Sequence, residues 1–174
     1  MESIDPSWLC NLVATLALAI DDQVAAATEE VAEHGASMPA ALVTLRAEPG
    51  LSIEQLRIAL RLTHSGGARL VDRLVELGLL DRAAGFGRRV SLELTPSGLA
   101  LAERILQARE GAVERALEPL ADREREQLAT LLARMLRGMV SSEARSWEIC
   151  RLCDTHACPP ERCPVELELS LETA

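Results

Sequence analysis

The sequence predicts a mostly α-helical protein that contains one two-stranded β-hairpin near its middle. The apolar residues are mainly Leu, Ala, Val and Ile, with two Trp, one Phe and no Tyr among 174 residues. Leu, Ala, Glu and Arg are strong helix formers. Long stretches place apolar residues at three- and four-residue steps, which is the helical period. A strand-like pattern appears in a single place, residues 79–95.

Four helices are predicted before the hairpin. The first covers about residues 7–35 and ends at a glycine, and the second, within 38–50, is stopped by a Pro-Gly pair. Ser52 begins the third, because a Ser with Gln three residues later forms a capping box. Thr63 is the expected N-cap of the fourth helix, "HSGGARLVDRLVELG", which Gly78 ends.

The hairpin and two further helices follow. Apolar and polar residues alternate over 90–94, as in a half-buried strand, and the glycines between the two strands suit a tight tip. A helix restarts at Thr95, with proline at its first position, and runs to about residue 118. We expect Asp122 to cap a last helix of roughly twenty-five residues that ends near Glu148.

The charge is unevenly distributed along the chain. All eighteen basic residues are Arg, and the net charge is −9, which taken alone argues against a nucleic-acid partner. Residues 46–98, however, carry eight Arg against six acidic residues, whereas the rest of the chain carries ten against twenty-one. The basic excess therefore coincides with the helices and hairpin in the middle of the chain.

We expect a cytoplasmic protein without a membrane partner. No uninterrupted apolar run is long enough to span a bilayer, and the start "MESIDPSWLC" lacks the basic region of a secretory signal. We do not expect an enzyme, because no glycine-rich phosphate loop, paired acid site or Ser-His-Asp arrangement is present. The least favoured alternative is a thiol redox enzyme, since CxxC occurs in such proteins.

Two helices joined by a short turn and followed by a hairpin form the order of a winged helix-turn-helix. There the second helix enters the major groove of DNA, and the hairpin, or wing, reaches phosphates or the minor groove. Arg suits bidentate contact with phosphate or guanine. The candidate DNA-binding residues lie on the fourth helix, on the first strand and at the wing tip: Thr63, His64, Ser65, Gly67, Arg69, Arg73, Arg82, Arg88 and Arg89.

Several of these residues also have a structural interpretation. Arg69 and Arg73 would solvate an exposed helix face, and Arg73 would pair with Glu76 or Asp72 on its own helix. His64 would be only a surface residue, and Arg82 would brace the wing against an acid. Gly67 is assigned to the exposed face, where a small residue lets the helix approach DNA closely.

Residues 41–98 resemble the MarR family of bacterial transcriptional regulators. The run "ARLVDRLVELGLL", a wing ending in "RR" and the closing "LELTPSG" follow the family's usual course. The flanking helices extend the likeness to residues 7–148. Family members usually carry an Asp shortly before the wing arginines, where this chain has Gly85, Phe86 and Gly87.

The resemblance implies a homodimer, with interleaved terminal helices, that binds a pseudo-palindromic operator in double-stranded DNA. It is also compatible with a small-molecule effector. We do not name this effector, because the chain has few aromatic residues to line a binding site for it. Dimerisation is expected independently, because the apolar faces of the first and last helices are too long for one small domain to cover. The alternative is a protein-interaction module on a winged-helix fold that no longer binds DNA, as the acidic balance would suit.

The predicted organisation therefore has five parts. They are an N-terminal dimerisation helix (7–36), a winged helix-turn-helix DNA-binding domain (37–98), C-terminal dimerisation helices (99–148), a cysteine-rich block (149–166) and a tail (167–174).

The cysteine-rich block holds four of the five cysteines: Cys150, Cys153, Cys158 and Cys163. Four thiolates within fourteen residues satisfy the tetrahedral preference of Zn²⁺, and CxxC is the usual first half of such a site. His156 is a substitute ligand. Zinc is the favoured cofactor, and three alternatives stay open: an iron–sulfur cluster, reversible disulfides that act as a redox switch, and no specific role. A change at the block would alter dimer geometry and half-site spacing, a hypothesis that rests on its position after the last helix.

Overall fold

The protein is described by a computed structural model that covers residues 5–33, 35, 37–84, 90–158 and 160–172. These residues form eight helices and one two-stranded sheet. In chain order they are α1 (Pro6–Ala32), α2 (Ser37–Ala47), α3 (Ile53–Ala59), α4 (His64–Glu76), β1 (Leu80–Ala84), β2 (Val90–Leu94), α5 (Pro96–Leu117), α6 (Asp122–Arg137), α7 (Glu143–Cys150) and α8 (Pro164–Glu172). The predicted fold class, mostly helical with one antiparallel hairpin, is confirmed.

Side chains cap the central helices where the sequence predicts. Ser52 and Gln55 form the capping box of α3: the Ser52 hydroxyl accepts the Gln55 N–H, and the Gln55 side chain accepts the Ser52 N–H. Thr63 and Thr95 cap α4 and α5, and each hydroxyl accepts the backbone N–H three residues later at 3.1 Å. These caps fix where each helix of the helix-turn-helix begins.

The last predicted helix is in fact two helices, α6 and α7. Asp122 is the first residue of α6 and not its cap; the N-cap position is occupied by Ala121. The Glu124 carboxylate accepts the Ala121 N–H at 2.9 Å and so takes the place of a capping side chain. α6 then ends just before Gly138, a poor helix former. Ser142 starts α7, its hydroxyl accepting the Arg145 N–H at 3.2 Å. The prediction of one continuous helix was therefore wrong.

The core is centred on α2, which is buried from residue 38 to residue 45 and packs against α1, α3, α5 and the hairpin. In the hairpin Leu80 pairs with Leu94, and Leu92 is fully buried. Leu92 also exchanges backbone hydrogen bonds with Gly50 and Leu51 at 3.1 and 3.0 Å. The loop before α3 is thus tied to the base of the wing.

Gly98 allows α5 to begin tightly against that base. A Cβ at this position would lie 2.0 Å from the Leu79 carbonyl oxygen, so a larger residue would push the helix away. The Thr95 hydroxyl donates a hydrogen bond to the Gly78 carbonyl at 2.7 Å. The "LTPSG" run therefore fixes the geometry between α4, the hairpin and α5.

The C-terminal part folds back onto both halves of the chain. α7 packs against α3, and α8 packs against α6. Val140, Cys163 and Val165 form a small buried cluster of their own, separate from the main core. Much of the segment expected to be a tail, 167–174, belongs to α8, which ends at Glu172.

Two helices expose long apolar faces. On α1 these are Trp8, Leu9, Leu12, Val13 and Leu16, and on α6 they are Leu131, Leu132 and Met135. Leu18 is exposed on the other side of α1. α1 is also long and apolar enough to span a membrane, a criterion that core helices of soluble proteins and signal sequences meet as well. Polar residues such as Asn11 and Thr15 interrupt the apolar run of α1, so no continuous apolar stretch marks it in the sequence.

Candidate nucleic-acid interface and cysteine cluster

The start of α4 carries three of the candidate DNA-binding residues. Thr63 uses its hydroxyl to cap the helix, and Ser65 lies 3.4 Å from it, hydroxyl oxygen to hydroxyl oxygen. His64 is 83% exposed, and its Nδ1 is 3.9 Å from a carboxylate oxygen of Glu54 on α3. Ser65 and His64 are therefore open to a ligand, whereas Thr63 serves first as a structural cap.

Glu54 is an acidic residue at this surface that the sequence analysis overlooked. It accepts a hydrogen bond from Arg57 Nε at 2.7 Å, and this bond to Arg57 lowers the pKa of the Glu54 carboxyl. The same bond raises the pKa of Arg57. The ionised Glu54 carboxylate next to His64 would repel a phosphate group. This edge of the surface therefore favours a hydrogen-bond donor on the ligand.

The structure corrects the assignment of Gly67. This residue is buried, and a Cβ built on it would lie 2.8 Å from Cβ of Arg57. Gly67 therefore allows close packing of α4 on α3 rather than close approach to DNA. Its assignment to the exposed face was wrong, because the packing partner, Arg57, is on another helix.

Three arginines extend the surface along α4 and onto β1. Arg69 is exposed and forms no ion pair with any other described residue. Arg73 pairs with Glu76 at 3.4 Å, one of the alternatives considered above. Arg82 donates a hydrogen bond to Asp72 and so ties the hairpin to α4. Exposed pairs of this kind contribute little stability, so their arginines are available to exchange a carboxylate for a phosphate.

The wing tip completes the predicted interface. Arg88 and Arg89 lie outside the described residues, as do Gly85, Phe86 and Gly87. The described part of the hairpin runs from the Leu80–Leu94 pair to the Ala84–Val90 pair.

The four C-terminal cysteines are free thiols that interact with one another. A hydrogen bond with Cys153 lowers the pKa of Cys150, and the same bond raises the pKa of Cys153. Burial, and next a hydrogen bond with Cys163, raises the pKa of Cys158 to about 12. Cys150 is thus easier to ionise than Cys153 and Cys158.

These thiols line one cavity of about 310 Å³. Thr44, Ala47, Glu48 and Leu51, from α2 and the loop after it, form the opposite wall, and Trp147 contributes from α7. Among the described residues, no three His, Cys, Asp or Glu side chains stand where they would hold a metal ion. A metal would therefore require the thiols to shift toward a common centre.

His156 has a different partner from the one expected. Its Nδ1 lies 3.0 Å from Nη2 of Arg46. Since a guanidinium can only donate, Nδ1 accepts this hydrogen bond and the imidazole proton is on Nε2. Arg46 also pairs with Asp154 at 3.3 Å. Arg46 is one of the basic residues of the predicted DNA-binding region, and its contacts with Asp154 and His156 could not be predicted because the partners are more than a hundred residues apart.

Comparisons with known proteins agree with this architecture. No known family profile and no curated protein matches the chain. A MarR-family transcriptional regulator from Silicibacter pomeroyi is 25% identical, with a TM-score of 0.61, over 75% of this chain and 92% of that one. A MarR family protein of Mycobacterium tuberculosis, solved with salicylic acid, is 23% identical, with a TM-score of 0.57, over 77% and 98%. A probable transcriptional regulator from Pseudomonas aeruginosa is 30% identical, with a TM-score of 0.54, over 73% and 98%.

The chain has the MarR-type winged-helix fold. Its structural neighbours are transcriptional regulators, which are not enzymes, and this confirms the prediction that the chain is not an enzyme. The matches cover nearly all of each neighbour but leave about a quarter of this chain unmatched. The MarR-type fold thus accounts for less than the whole chain.

Proposed function

We propose that the protein is a dimeric, sequence-specific DNA-binding transcriptional regulator that acts in the cytoplasm. The observation that carries the proposal is the set of exposed side chains on α4, which packs against β1: His64, Ser65, Arg69 and Arg73. The sequence adds Arg88 and Arg89 between the two strands. A helix of this kind fits the major groove, and arginine fits guanine and phosphate. Its fold neighbours are regulators of the same type.

Salt dependence of DNA binding tests this proposal. Each phosphate contact releases counterions, so the logarithm of the association constant falls with the logarithm of salt by about 0.9 per contact on duplex DNA. A regulator should show a steep negative slope and a preferred sequence. The acidic net charge of −9 favours the alternative, an interaction module that no longer binds DNA. That alternative predicts no measurable affinity for duplex DNA at any salt concentration.

The exposed apolar faces of α1 and α6 support the dimer. Leu16 on α1 is 54% exposed and Met139, just after α6, is 55% exposed, and monomers rarely leave apolar patches of this extent in water. A second copy covers both faces at once. Sedimentation of the purified protein should therefore give twice the mass of one chain.

The cysteine cluster is proposed to bind Zn²⁺ through Cys150, Cys153, Cys158 and Cys163. Its support is that all four thiols line one cavity and that four thiolates are a preferred zinc donor set. An iron–sulfur cluster uses the same donors. Reversible disulfides are the third option: two thiols would give two electrons and two protons to a peroxide, which leaves as two molecules of water.

Elemental analysis and a visible spectrum of protein purified without oxygen distinguish these options. Zinc at one equivalent without colour supports the favoured site, and iron with sulfide and a broad visible absorption supports a cluster. Cys153→Ser should lower the metal content. Cys10→Ser should not, because Cys10 is an exposed thiol near the N-terminus, far in sequence from the cluster. Metal-free wild-type protein of unchanged stability would exclude a structural metal. A small-molecule effector, as in the salicylic acid complex of the M. tuberculosis protein, is compatible with this function and is unidentified.

A further inference from the structure

We propose that the DNA-binding domain of the same chain senses the occupant of the cysteine cavity directly, through α2 and α3. The inference rests on the proposed function, because it assigns a role in regulation to the cysteine cluster. It differs from a signal sent through the dimer helices, since the contacts that carry it lie within one chain. Arg46 is the positioning residue of this coupling.

The first contact joins α2 to the loop that holds the cysteines. The Arg46 side chain is only 11% exposed and reaches both Asp154 and His156. Asp154 directly follows Cys153, and its carboxylate also accepts the His156 N–H at 3.1 Å. Thr44, two residues before Arg46, donates its hydroxyl to the Arg151 carbonyl at 3.2 Å. Two neighbouring residues of α2 thus hold the loop on either side of Cys153.

The second contact joins α7 to α3. Glu148 accepts a hydrogen bond from Arg145 at 2.8 Å and lies 3.9 Å from Arg61, which directly follows the last turn of α3. Leu152 packs against the main core, beside residues of the DNA-binding domain. The segment before and after Cys150 is therefore anchored to the helix that supports the recognition helix α4.

The cavity itself lies at this junction. One wall is built from α2 and the loop after it, and the other from the four thiols. A zinc ion needs its sulfur ligands at about 2.3 Å from one point, and the described thiols are not so arranged. We infer that binding repositions the thiols, Cys153 among them, and with Cys153 the adjoining Asp154 carboxylate that Arg46 holds. A change in the occupant of the cavity would therefore alter the contacts that Arg46 on α2 and Arg61 after α3 make with the C-terminal segment.

Hydrogen exchange with and without zinc tests this coupling without requiring DNA. Chelator-treated protein is compared before and after addition of zinc chloride, for the wild type, Arg46→Ala and Asp154→Asn. In the wild type we expect zinc to alter exchange of α2 and α3 amides by about fivefold or more, the lower end of usual coupling between sites. Both variants should still bind zinc but lose most of this response. Asp154→Asn retains the side-chain shape in case Arg46→Ala does not fold.

A matched control is Arg125→Ala, which removes the ion pair between Arg125 on α6 and Glu114 on α5. It should leave the zinc response of α2 and α3 intact. The inference is overturned if wild-type protein binds no zinc, if zinc leaves α2 and α3 unchanged, or if folded Arg46→Ala and Asp154→Asn respond like the wild type. A protein that shows the exchange response but binds no DNA would contradict the proposed function and leave the coupling standing.

Discussion

A methyl group on Gly67 would lie 2.8 Å from Cβ of Arg57, on the neighbouring helix of the helix-turn-helix. Real Cβ atoms do not approach so closely, and Cβ of Arg57 is bound to the helix backbone and cannot swing aside. The distance between α3 and α4 therefore depends on this glycine.

Gly67→Ala should destabilise the protein. Overpacking of this kind costs about 1–3 kcal/mol, partly offset by the better helix propensity of Ala. Gly111→Ala on α5 is the control, because the added methyl would meet only the end of Arg115 at 3.8 Å, and it should be neutral or stabilising. Thermal unfolding of both variants measures the difference. Equal stability of the two variants would show that α3 and α4 are not so closely packed.

Arg69→Ala should weaken DNA binding by about 1–3 kcal/mol without changing the unfolding temperature. The reason is that Arg69 is exposed and has no ion-pair partner among the described residues. Arg73→Ala should have a smaller effect, because Arg73 must first leave Glu76. Arg123→Ala on the exposed start of α6 is the control and should bind like the wild type. Full binding by Arg69→Ala would remove this residue from the interface.

Leu16→Glu should disrupt the dimer. Leu16 is 54% exposed on the apolar face of α1, and a carboxylate buried there at an interface would be unpaired. Sedimentation should show a shift toward the mass of one chain, or a lowered unfolding temperature if the monomer is unstable. Gln107→Glu adds the same charge at an exposed polar position of α5 and serves as the control. A wild type that is already monomeric, or that pellets with lipid vesicles, would argue that something else covers α1.

The thiols of the metal-free cluster should differ in reactivity. The hydrogen bond with Cys153 lowers the pKa of Cys150, so Cys150 is more ionised near neutral pH and should react first with iodoacetamide. Burial raises the pKa of Cys158 to about 12, and the hydrogen bond with Cys150 raises the pKa of Cys153, so both thiols should react later than Cys150 or only at alkaline pH. Mass spectrometry of peptides taken over time gives the order. Cys153→Ser should slow the alkylation of Cys150, because it removes the hydrogen bond that lowers the Cys150 pKa. Modification of Cys158 before Cys150 would contradict the described hydrogen bonds.

The sequence predicted local features well. The capping box at Ser52 and the caps at Thr63 and Thr95 depend only on neighbours a few residues away. The strand from Val90 to Leu94 was also predicted, but only Leu92 of its apolar residues is buried, and Val90 is exposed. The same is true of the ion pair between Arg73 and Glu76, one helical turn apart.

Contacts between distant residues could not be predicted in this way. Nothing in the sequence around Gly67 distinguishes it from an exposed glycine. Only the position of Arg57 in the folded protein shows that Gly67 is a packing residue. The contact of Arg46 with Asp154 depends on how the C-terminal block folds back. The break at Gly138 was missed because one glycine in a helical pattern is often tolerated.

The central claim, that α4 and the wing recognise a DNA sequence, is tested most directly by selection from random duplex DNA. The purified protein should enrich a pseudo-palindromic sequence with half-sites about one helical turn apart. Arg69→Ala should reduce that enrichment, and Arg123→Ala should not. Recovery of random sequence by a folded wild type would contradict the account.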